Sequence, residues 1–162
     1  MEAGDESMAK ETESYDALKL KNQVCFPLYA CAKELVRQYG PYLKDLNLTY
    51  TQYIVMMVLW EKERVSSREL SSCLHLDYGT LTPVLKRLEA AGYLNKQRSD
   101  EDERLLTLSL TEKGRSLKED AVSIPPAVAD CMGLTAEEFG TLYALTYKAL
   151  RHMESTDKSK ED

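Results

Sequence analysis

The chain has 162 residues, of which 43% are hydrophobic and 30% are charged, and this composition predicts one globular domain and excludes a disordered chain. The longest unbroken apolar stretch, residues 53–60, is far too short to span a bilayer, and the polar residues 1–14 lack the apolar middle of a secretory signal, so we expect a cytoplasmic protein. The net charge is −6, but residues 64–115 hold nine Lys and Arg against eight Asp and Glu, so a nucleic-acid partner is not excluded.

The two ends of the chain and the first helix set the outer limits of the domain. Residues 1–15 and 154–162 show no apolar period, so we expect a disordered acidic tail, a single domain over residues 16–153 and a second disordered tail. A dimerisation helix over about 18–39 is indicated by apolar residues at spacings of three and four: Leu20, Val24, Leu28, Cys31 and Leu35. Because a first turn tolerates Pro27 best, this helix either begins near Asn22 or bends there.

The next segment predicts the centre of the core. A short helical stretch is expected after Gly40-Pro41, followed by a helix over residues 49–61 whose apolar residues are so dense that it must be largely buried. A third helix, residues 67–74, carries Cys73 on its packing face, so we expect Cys73 to be a core residue.

Two short helices joined by a tight turn indicate a helix-turn-helix. The first begins at a capping box formed by Ser66 and Glu69, and the second begins at Asp77 and ends at Ala91-Gly92. The apolar face of the second helix is formed by Leu81, Val84, Leu85 and Leu88.

Two short segments after this motif predict a β-hairpin. Residues 93–98 and 105–110 have the composition of strands, and the polar loop between them, residues 99–104, would protrude as a wing. A further helix is expected from Thr111 to about Val122, Pro125-Pro126 interrupts it, and Thr135 with Glu138 caps the last one. The fold is therefore expected to be mainly α, with a winged helix-turn-helix over about 64–110 and dimerisation helices over about 18–39 and 111–153.

A helix-turn-helix followed by a two-stranded wing predicts DNA binding. The candidate contacts on the second helix are Tyr78, Gly79, Thr80, Thr82, Lys86 and Arg87. The wing adds Arg98 and Arg104, with Asp102 placed to orient Arg104. Such motifs commonly dimerise on pseudo-palindromic sites in double-stranded DNA. The alternatives are a helix face that is merely solvated and a winged fold that binds protein.

Four stretches of the chain resemble the MarR family over roughly residues 18–150. They are Asn-Gln-Val-Cys-Phe-Pro-Leu-Tyr-Ala at 22–30, Leu-Thr-Tyr-Thr-Gln-Tyr at 48–53, Leu-Asp-Tyr-Gly-Thr-Leu-Thr-Pro-Val-Leu-Lys-Arg-Leu-Glu at 76–89, and Arg-Ser-Asp-Glu-Asp-Glu-Arg at 98–104. The winged-helix stretches alone indicate only MarR. The first two point to the OhrR branch, whose members sense organic hydroperoxides.

This resemblance implies a homodimeric repressor that leaves its operator when a reactive cysteine is oxidised. Cys25 matches that cysteine, and Tyr39 and Tyr50 match the two tyrosines with which the partner subunit holds its thiolate. Tyr78 is bulkier than the small residue expected there, which puts the operator sequence in doubt. Cys131 matches the region of a second, resolving cysteine that some members carry and that forms a disulfide between subunits; the alternatives are a small-molecule thiol or no role.

The residues around Cys25 give independent support to a redox function. Cys25 lies close to the amides of a helix start, which stabilise a thiolate, although an ordinary buried thiol is the alternative. Cys31 lies six residues further along the same helix, roughly 9 Å away along its axis, which is too far for a disulfide with Cys25.

Two other functions compete with a peroxide sensor, and a metal site is a further candidate. One is a MarR-type repressor that responds to a small aromatic ligand and in which Cys25 is inert. Another is a thiol peroxidase, but the chain has no CxxC motif or thioredoxin-like pattern, so we expect no enzyme. His75 and His152 are the only histidines and neither lies in a cluster with ligand spacing, so we expect neither a metal nor another cofactor.

Overall fold

The computed structural model describes residues 15–98 and 106–158. Two short 3-10 helices, Asp16–Leu18 and Leu20–Asn22, come first. The elements that follow within these ranges are α1 Cys25–Asp45, α2 Tyr50–Lys62, β1 Arg64–Ser66, α3 Ser67–Leu74, α4 Tyr78–Ala90, β2 Leu94–Arg98, β3 Leu106–Leu110, α5 Glu112–Ala121, α6 Ile124–Asp130 and α7 Ala136–Lys158. The expected tail residues 1–14 and 159–162 and the wing residues 99–105 lie outside the described residues.

The first helix differs from its predicted bounds at both ends. It begins at Cys25, because the residues before it form 3-10 turns, and this start places Pro27 in the first turn, where its missing N–H costs nothing. The predicted break at Gly40-Pro41 was wrong, because α1 continues through Pro41 to Asp45. Leu43, which is only 2% exposed, anchors the last turn in the core and offsets the backbone hydrogen bond that Pro41 removes.

The second helix is the buried centre of the fold, as predicted. Its start is a capping box, in which the Thr49 amide donates to Gln52 Oε1 at 2.7 Å and the Gln52 amide donates to Thr49 Oγ1 at 3.3 Å. The core side chains on α2 are Tyr53, Val55, Met56, Leu59 and Trp60.

The wing belongs to a three-stranded antiparallel sheet with the order β1-β3-β2. The predicted hairpin is confirmed, and its register pairs Leu94 with Leu110 and Arg98 with Leu106. The strand β1 cannot be predicted from the sequence, because a strand of three residues with one apolar side chain, Val65, shows no alternation to detect.

The helix-turn-helix forms as predicted. Ser66 Oγ accepts from the Glu69 amide at 3.1 Å at the start of α3. His75 turns the chain in the left-handed region, with φ of 52°. Leu81, Leu85 and Leu88 on α4 are buried, and Val84 is half-buried.

The described residues form two compact units, one up to residue 124 and one from residue 125 onward. In the second unit, Pro125 and Pro126 lie in the first turn of α6, where prolines are tolerated, so a short helix forms where the sequence suggests only an interruption. The predicted Thr135–Glu138 capping box is confirmed, with Thr135 N to Glu138 Oε2 at 2.8 Å. The helix α7 ends at Lys158, so residues 154–158 are helical and not part of a disordered tail. Extending an existing helix avoids the cost of a new nucleus, which local sequence does not reveal.

Large apolar side chains lie exposed on two helices of the single chain. On α1 they include Phe26, Leu28 and Tyr29, and on α7 they include Phe139, Tyr143 and Leu145. On each helix by itself, exposed large apolar side chains of this kind are typical of an interface with another chain. Among the helices in the described ranges, none is long and apolar enough to cross a membrane.

Candidate nucleic-acid interface and thiol site

The start of α4 is fixed by Asp77. Its Oδ1 accepts from the Thr80 amide at 2.8 Å and its Oδ2 accepts from the Thr80 hydroxyl at 2.9 Å. These bonds hold the pKa of the Asp77 carboxyl below its usual range. Gly79 leaves room for the carboxylate, since a Cβ there would lie 2.9 Å from Asp77 Oδ1. The cap therefore fixes the residues that a groove of DNA would meet first.

The outer face of α4 is exposed, as the helical wheel predicts. Tyr78 is 51% exposed, and Gly79, Thr82 and Lys86 are also exposed. The hydroxyl group of Thr82 donates to the Tyr78 carbonyl at 2.7 Å, so its proton is already used. Thr80 and Thr82 therefore present acceptor oxygens and methyl groups, which suit amino groups of bases and thymine methyls.

The wing is tied to α4 by an ion pair that sequence reasoning missed. Lys96 Nζ on β2 lies 2.6 Å from Glu89 Oε2, and the Lys96 side chain is only 17% exposed. A cleft of about 180 Å³ between α4 and the strands is lined by Tyr78, Thr82, Lys96 and other residues. Arg98 ends β2, but Asp102 and Arg104 lie outside the described residues. The only sequence signal for this ion pair is a lysine on the predicted strand and a glutamate near the end of the preceding helix, and that signal does not predict a contact.

Arg87 lies in different surroundings from the other DNA candidates. It lines an open hollow of about 480 Å³ with Lys44, Asn47 and Thr49, where the connection between α1 and α2 meets the end of α4. Lys86 does not line this hollow. Adjacent residues of a helix point about 100° apart, which explains the separation of Arg87 from Lys86.

Cys25 is the first residue of α1 and is exposed in the single chain. No side chain caps this helix start, so backbone amides at the first turn remain available to an anion. Exposure and free amides are what a reactive thiol needs. In the single chain, Cys25 is therefore not the ordinary buried thiol of the alternative interpretation.

The two tyrosines predicted to hold the thiolate lie together. The ring centroids of Tyr39 on α1 and Tyr50 on α2 are 5.1 Å apart. Burial raises the pKa of both phenols, and Tyr50 raises that of Tyr39 further. Both hydroxyl groups therefore stay protonated at physiological pH and can donate hydrogen bonds to a thiolate.

Cys25 and this tyrosine pair do not meet within one chain. Cys25 and Tyr39 are fourteen residues apart on one continuous helix, which separates them by roughly 21 Å along its axis. A side chain cannot bridge this distance. A site that uses both must take Cys25 from one chain and the tyrosines from another.

The other three cysteines are also exposed thiols. Cys31 lies on α1 with Cys25, as predicted. The prediction that Cys73 is a core residue was wrong, because Cys73 is exposed and Leu70 is the only residue of the predicted packing face that is fully buried. The Cys73 sulfur accepts a hydrogen bond from Lys62 Nζ at 3.9 Å. Cys131 follows α6, and its thiol donates to the Ala127 carbonyl at 3.4 Å.

Both histidines lie in the part of the chain that the structure describes. Among residues 15–98 and 106–158, no group of three or more His, Cys, Asp or Glu side chains could hold a metal ion. His75 forms the turn before α4, and His152 lies on the last helix.

Comparison with known proteins identifies the fold and its relatives. Residues 37–121 match the protein family described as transcriptional regulator SarA/Rot. The organic hydroperoxide resistance transcriptional regulator of Bacillus subtilis is 44% identical over 136 residues, which are 84% of this chain and 92% of that protein.

Two solved structures are similar over most of the chain. AbfR of Staphylococcus epidermidis has a TM-score of 0.71 and 30% identity, covering 88% of this chain and 98% of its own. AbfR has been solved reduced on DNA, overoxidised on DNA and with a disulfide formed. A mutant MarR from Escherichia coli in complex with operator DNA has a TM-score of 0.69 and 25% identity, covering 76% of this chain and 90% of its own.

Proposed function

The chain belongs to the SarA/Rot family of transcriptional regulators, within the MarR-type winged-helix proteins and their organic-hydroperoxide-sensing branch, and we propose that it is a homodimeric repressor that releases its operator when Cys25 is oxidised. It acts in the cytoplasm on double-stranded DNA and consumes peroxide once per thiol, as a sensor and not as an enzyme. The observation that most favours this function is the placement of an exposed Cys25 roughly 21 Å from the Tyr39–Tyr50 pair, because the two halves complete one site only in a dimer.

The sensing step is a two-electron oxidation of sulfur. The Cys25 thiolate attacks one oxygen of the hydroperoxide O–O bond, an S–O bond forms, and the O–O bond breaks. The attacked oxygen carries its hydrogen to sulfur, so Cys25 becomes a sulfenic acid, and the alkoxide leaves and takes a proton from water to become the alcohol. Tyr39 and Tyr50 of the partner subunit donate hydrogen bonds to the thiolate before attack, and their rings provide an apolar wall that suits an alkyl group.

The output is a change in the spacing of two reading heads. A dimer that binds a pseudo-palindromic operator must hold its two α4 helices about one helical turn of DNA apart. Loss of the thiolate breaks the hydrogen bonds that join Cys25 to the partner's tyrosines, and so it removes contacts that favour the DNA-binding arrangement. Peroxide therefore lowers affinity through the dimer interface.

The direct test is DNA binding before and after stoichiometric cumene hydroperoxide, in wild type and in Cys25→Ser, with DNA from upstream of the protein's own gene. We expect wild type to lose at least about 10-fold in affinity and Cys25→Ser to lose none. If both proteins bind DNA and ignore peroxide, Cys25 is structural, and a repressor that responds to a small aromatic ligand replaces this proposal. If neither binds DNA, the central inference is wrong.

Cys131 is proposed as the resolving thiol. Attack of its sulfur on the Cys25 sulfenic acid forms an S–S bond between subunits, breaks the S–O bond and releases water. We expect a covalent dimer on non-reducing gels after peroxide treatment of wild type, Cys31→Ser and Cys73→Ser, and a monomer band for Cys131→Ser. A covalent dimer that persists in Cys131→Ser would contradict this role, and a wild-type monomer carrying a small thiol would replace it with a mixed disulfide.

Lys86 is proposed to contact the DNA backbone, since it is exposed on the outer face of α4 and does not line the hollow that holds Arg87. Each phosphate contact contributes about 0.9 to the slope of log affinity against log salt, so Lys86→Ala should lower the slope by about 2 per dimer. The control is Lys148→Ala, which removes an exposed lysine of α7. An unchanged slope in the Lys86→Ala protein would remove this residue from the interface.

A further inference from the structure

We propose that Tyr53, to which nothing in the sequence pattern assigned a role, is a positioning residue of the thiol site: its buried ring holds Tyr39 in the orientation that reaches Cys25 of the partner subunit. The inference rests on the proposed function and adds a residue to the site. Tyr53 acts through Tyr39 and does not touch the thiol.

Tyr53 lies between the Tyr39–Tyr50 pair and the core. Its side chain is 2% exposed, so it is closed off from a second chain. Its ring centroid lies 5.7 Å from that of Tyr39, at an interplanar angle of 43°. The Tyr39 ring also contacts the ring of Tyr50, with centroids 5.1 Å apart, so it packs against two other tyrosine rings. Two ring contacts leave Tyr39 far less rotational freedom than one would.

The core side of Tyr53 is itself fixed. Its ring meets Trp60, two turns further along the same face of α2, edge-on with centroids 6.0 Å apart. Trp60 Nε1 in turn donates to the Gly114 carbonyl on α5 at 2.8 Å, in a buried hydrogen bond. Two aromatic contacts and one hydrogen bond therefore connect the Tyr39 ring to α5, next to the sheet of the winged helix.

The hydroxyl group of Tyr53 is not what the site uses. Burial raises the pKa of Tyr53 to about 12, with further contributions from Tyr39 and Tyr50, so Tyr53 remains a neutral phenol. It cannot serve as a base, and its burial keeps it from donating to a thiolate on another chain. What Tyr53 supplies is the face of its ring, which phenylalanine also has.

The consequence can be measured as a rate at Cys25. A donor displaced by about 1 Å can cost up to about 100-fold in rate, and loosening Tyr39 should cost about 10-fold. We expect Tyr53→Leu to slow oxidation of Cys25 by cumene hydroperoxide, and its alkylation by iodoacetamide, by about 10-fold. Tyr53→Phe should restore the wild-type rate, because it keeps the ring.

The experiment follows the Cys25 thiol by intact-protein mass spectrometry in the full-length dimer. Leu59→Ala is the matched control, because Leu59 is a fully buried residue of the same helix, and its truncation should lower thermal stability without slowing Cys25. If Tyr53→Leu does not fold, Tyr53→Met is the second variant, because its unbranched side chain adapts better to the gap that the ring leaves. It also lacks the ring, and it is expected to show the same slow reaction.

Two results would overturn the role of Tyr53. One is a ring-deleted variant that reacts at the wild-type rate. The other is a Leu59→Ala protein that slows as much as Tyr53→Leu, which would reduce the effect to general destabilisation. Failure of the proposed function looks different: wild type itself would keep its DNA after Cys25 is oxidised, whatever the rates of the Tyr53 variants.

Discussion

Mixed dimers that combine a Cys25→Ser subunit with a Tyr39→Phe/Tyr50→Phe subunit are expected to react with hydroperoxide at the wild-type rate at one site. In such a dimer, the remaining Cys25 faces the intact tyrosines of the other subunit, and the second site has lost both halves. The reason is the separation of roughly 21 Å between Cys25 and Tyr39 along α1, which excludes a site within one chain.

The two parent homodimers provide the controls for this experiment. The Cys25→Ser homodimer should not react at this position, and the Tyr39→Phe/Tyr50→Phe homodimer should react about 10- to 100-fold more slowly, since a hydrogen bond to a charged group contributes about 1.5–3 kcal/mol. Differently tagged subunits, co-expressed and purified as heterodimers, allow the rate to be measured by mass spectrometry. A heterodimer as slow as the double-tyrosine homodimer would place the tyrosines and Cys25 of one chain in the same site.

Replacement of Gly114 by Ala is expected to destabilise the fold by about 3 kcal/mol or more. A Cβ at this position would lie 2.0 Å from the Tyr93 carbonyl oxygen and 3.1 Å from Leu110 Cδ2, and backbone atoms cannot yield as a flexible side chain can. The same residue accepts the hydrogen bond from Trp60, so any displacement of α5 also strains that bond.

Thermal unfolding with and without the change measures this effect. A loss of about 3 kcal/mol corresponds to a fall in Tm of about 6–12 °C for a domain of this size. Gly140→Ala on α7 is the control, because a Cβ there meets nothing within 4 Å and alanine favours helix. Equal melting temperatures for Gly114→Ala and wild type would contradict the close approach of α5 to Tyr93.

The parts of the fold that were predicted from sequence are those with strong local signals. Ser66, Asp77 and the Thr135–Glu138 box fix helix starts through side-chain hydrogen bonds between residues three apart, so the sequence alone is enough to find them. The face of α4 follows from a period that covers about two turns.

The parts that were not predicted depend on contacts distant in sequence. The strand β1 exists because Val65 pairs with Leu108, and α1 passes Pro41 because Leu43 is buried in the core. Cys73 is exposed because its helix is only eight residues long and packs against the core mainly through Leu70. The apolar pattern therefore predicts a wider buried face than the helix has. For the thiol site, the resemblance selected Cys25, Tyr39 and Tyr50, but the role of Tyr53 depends on ring geometry, which has no sequence signature.

Two time courses on one sample decide whether oxidation of Cys25 causes release of DNA. Release of fluorescent operator DNA is followed by anisotropy after addition of cumene hydroperoxide, while trapping with dimedone and mass spectrometry follows the sulfenic acid at Cys25. We expect the two rates to agree or release to lag behind oxidation, and both to change in parallel with peroxide concentration. Release that precedes modification of Cys25, or full oxidation of Cys25 while the protein stays bound, would contradict the account.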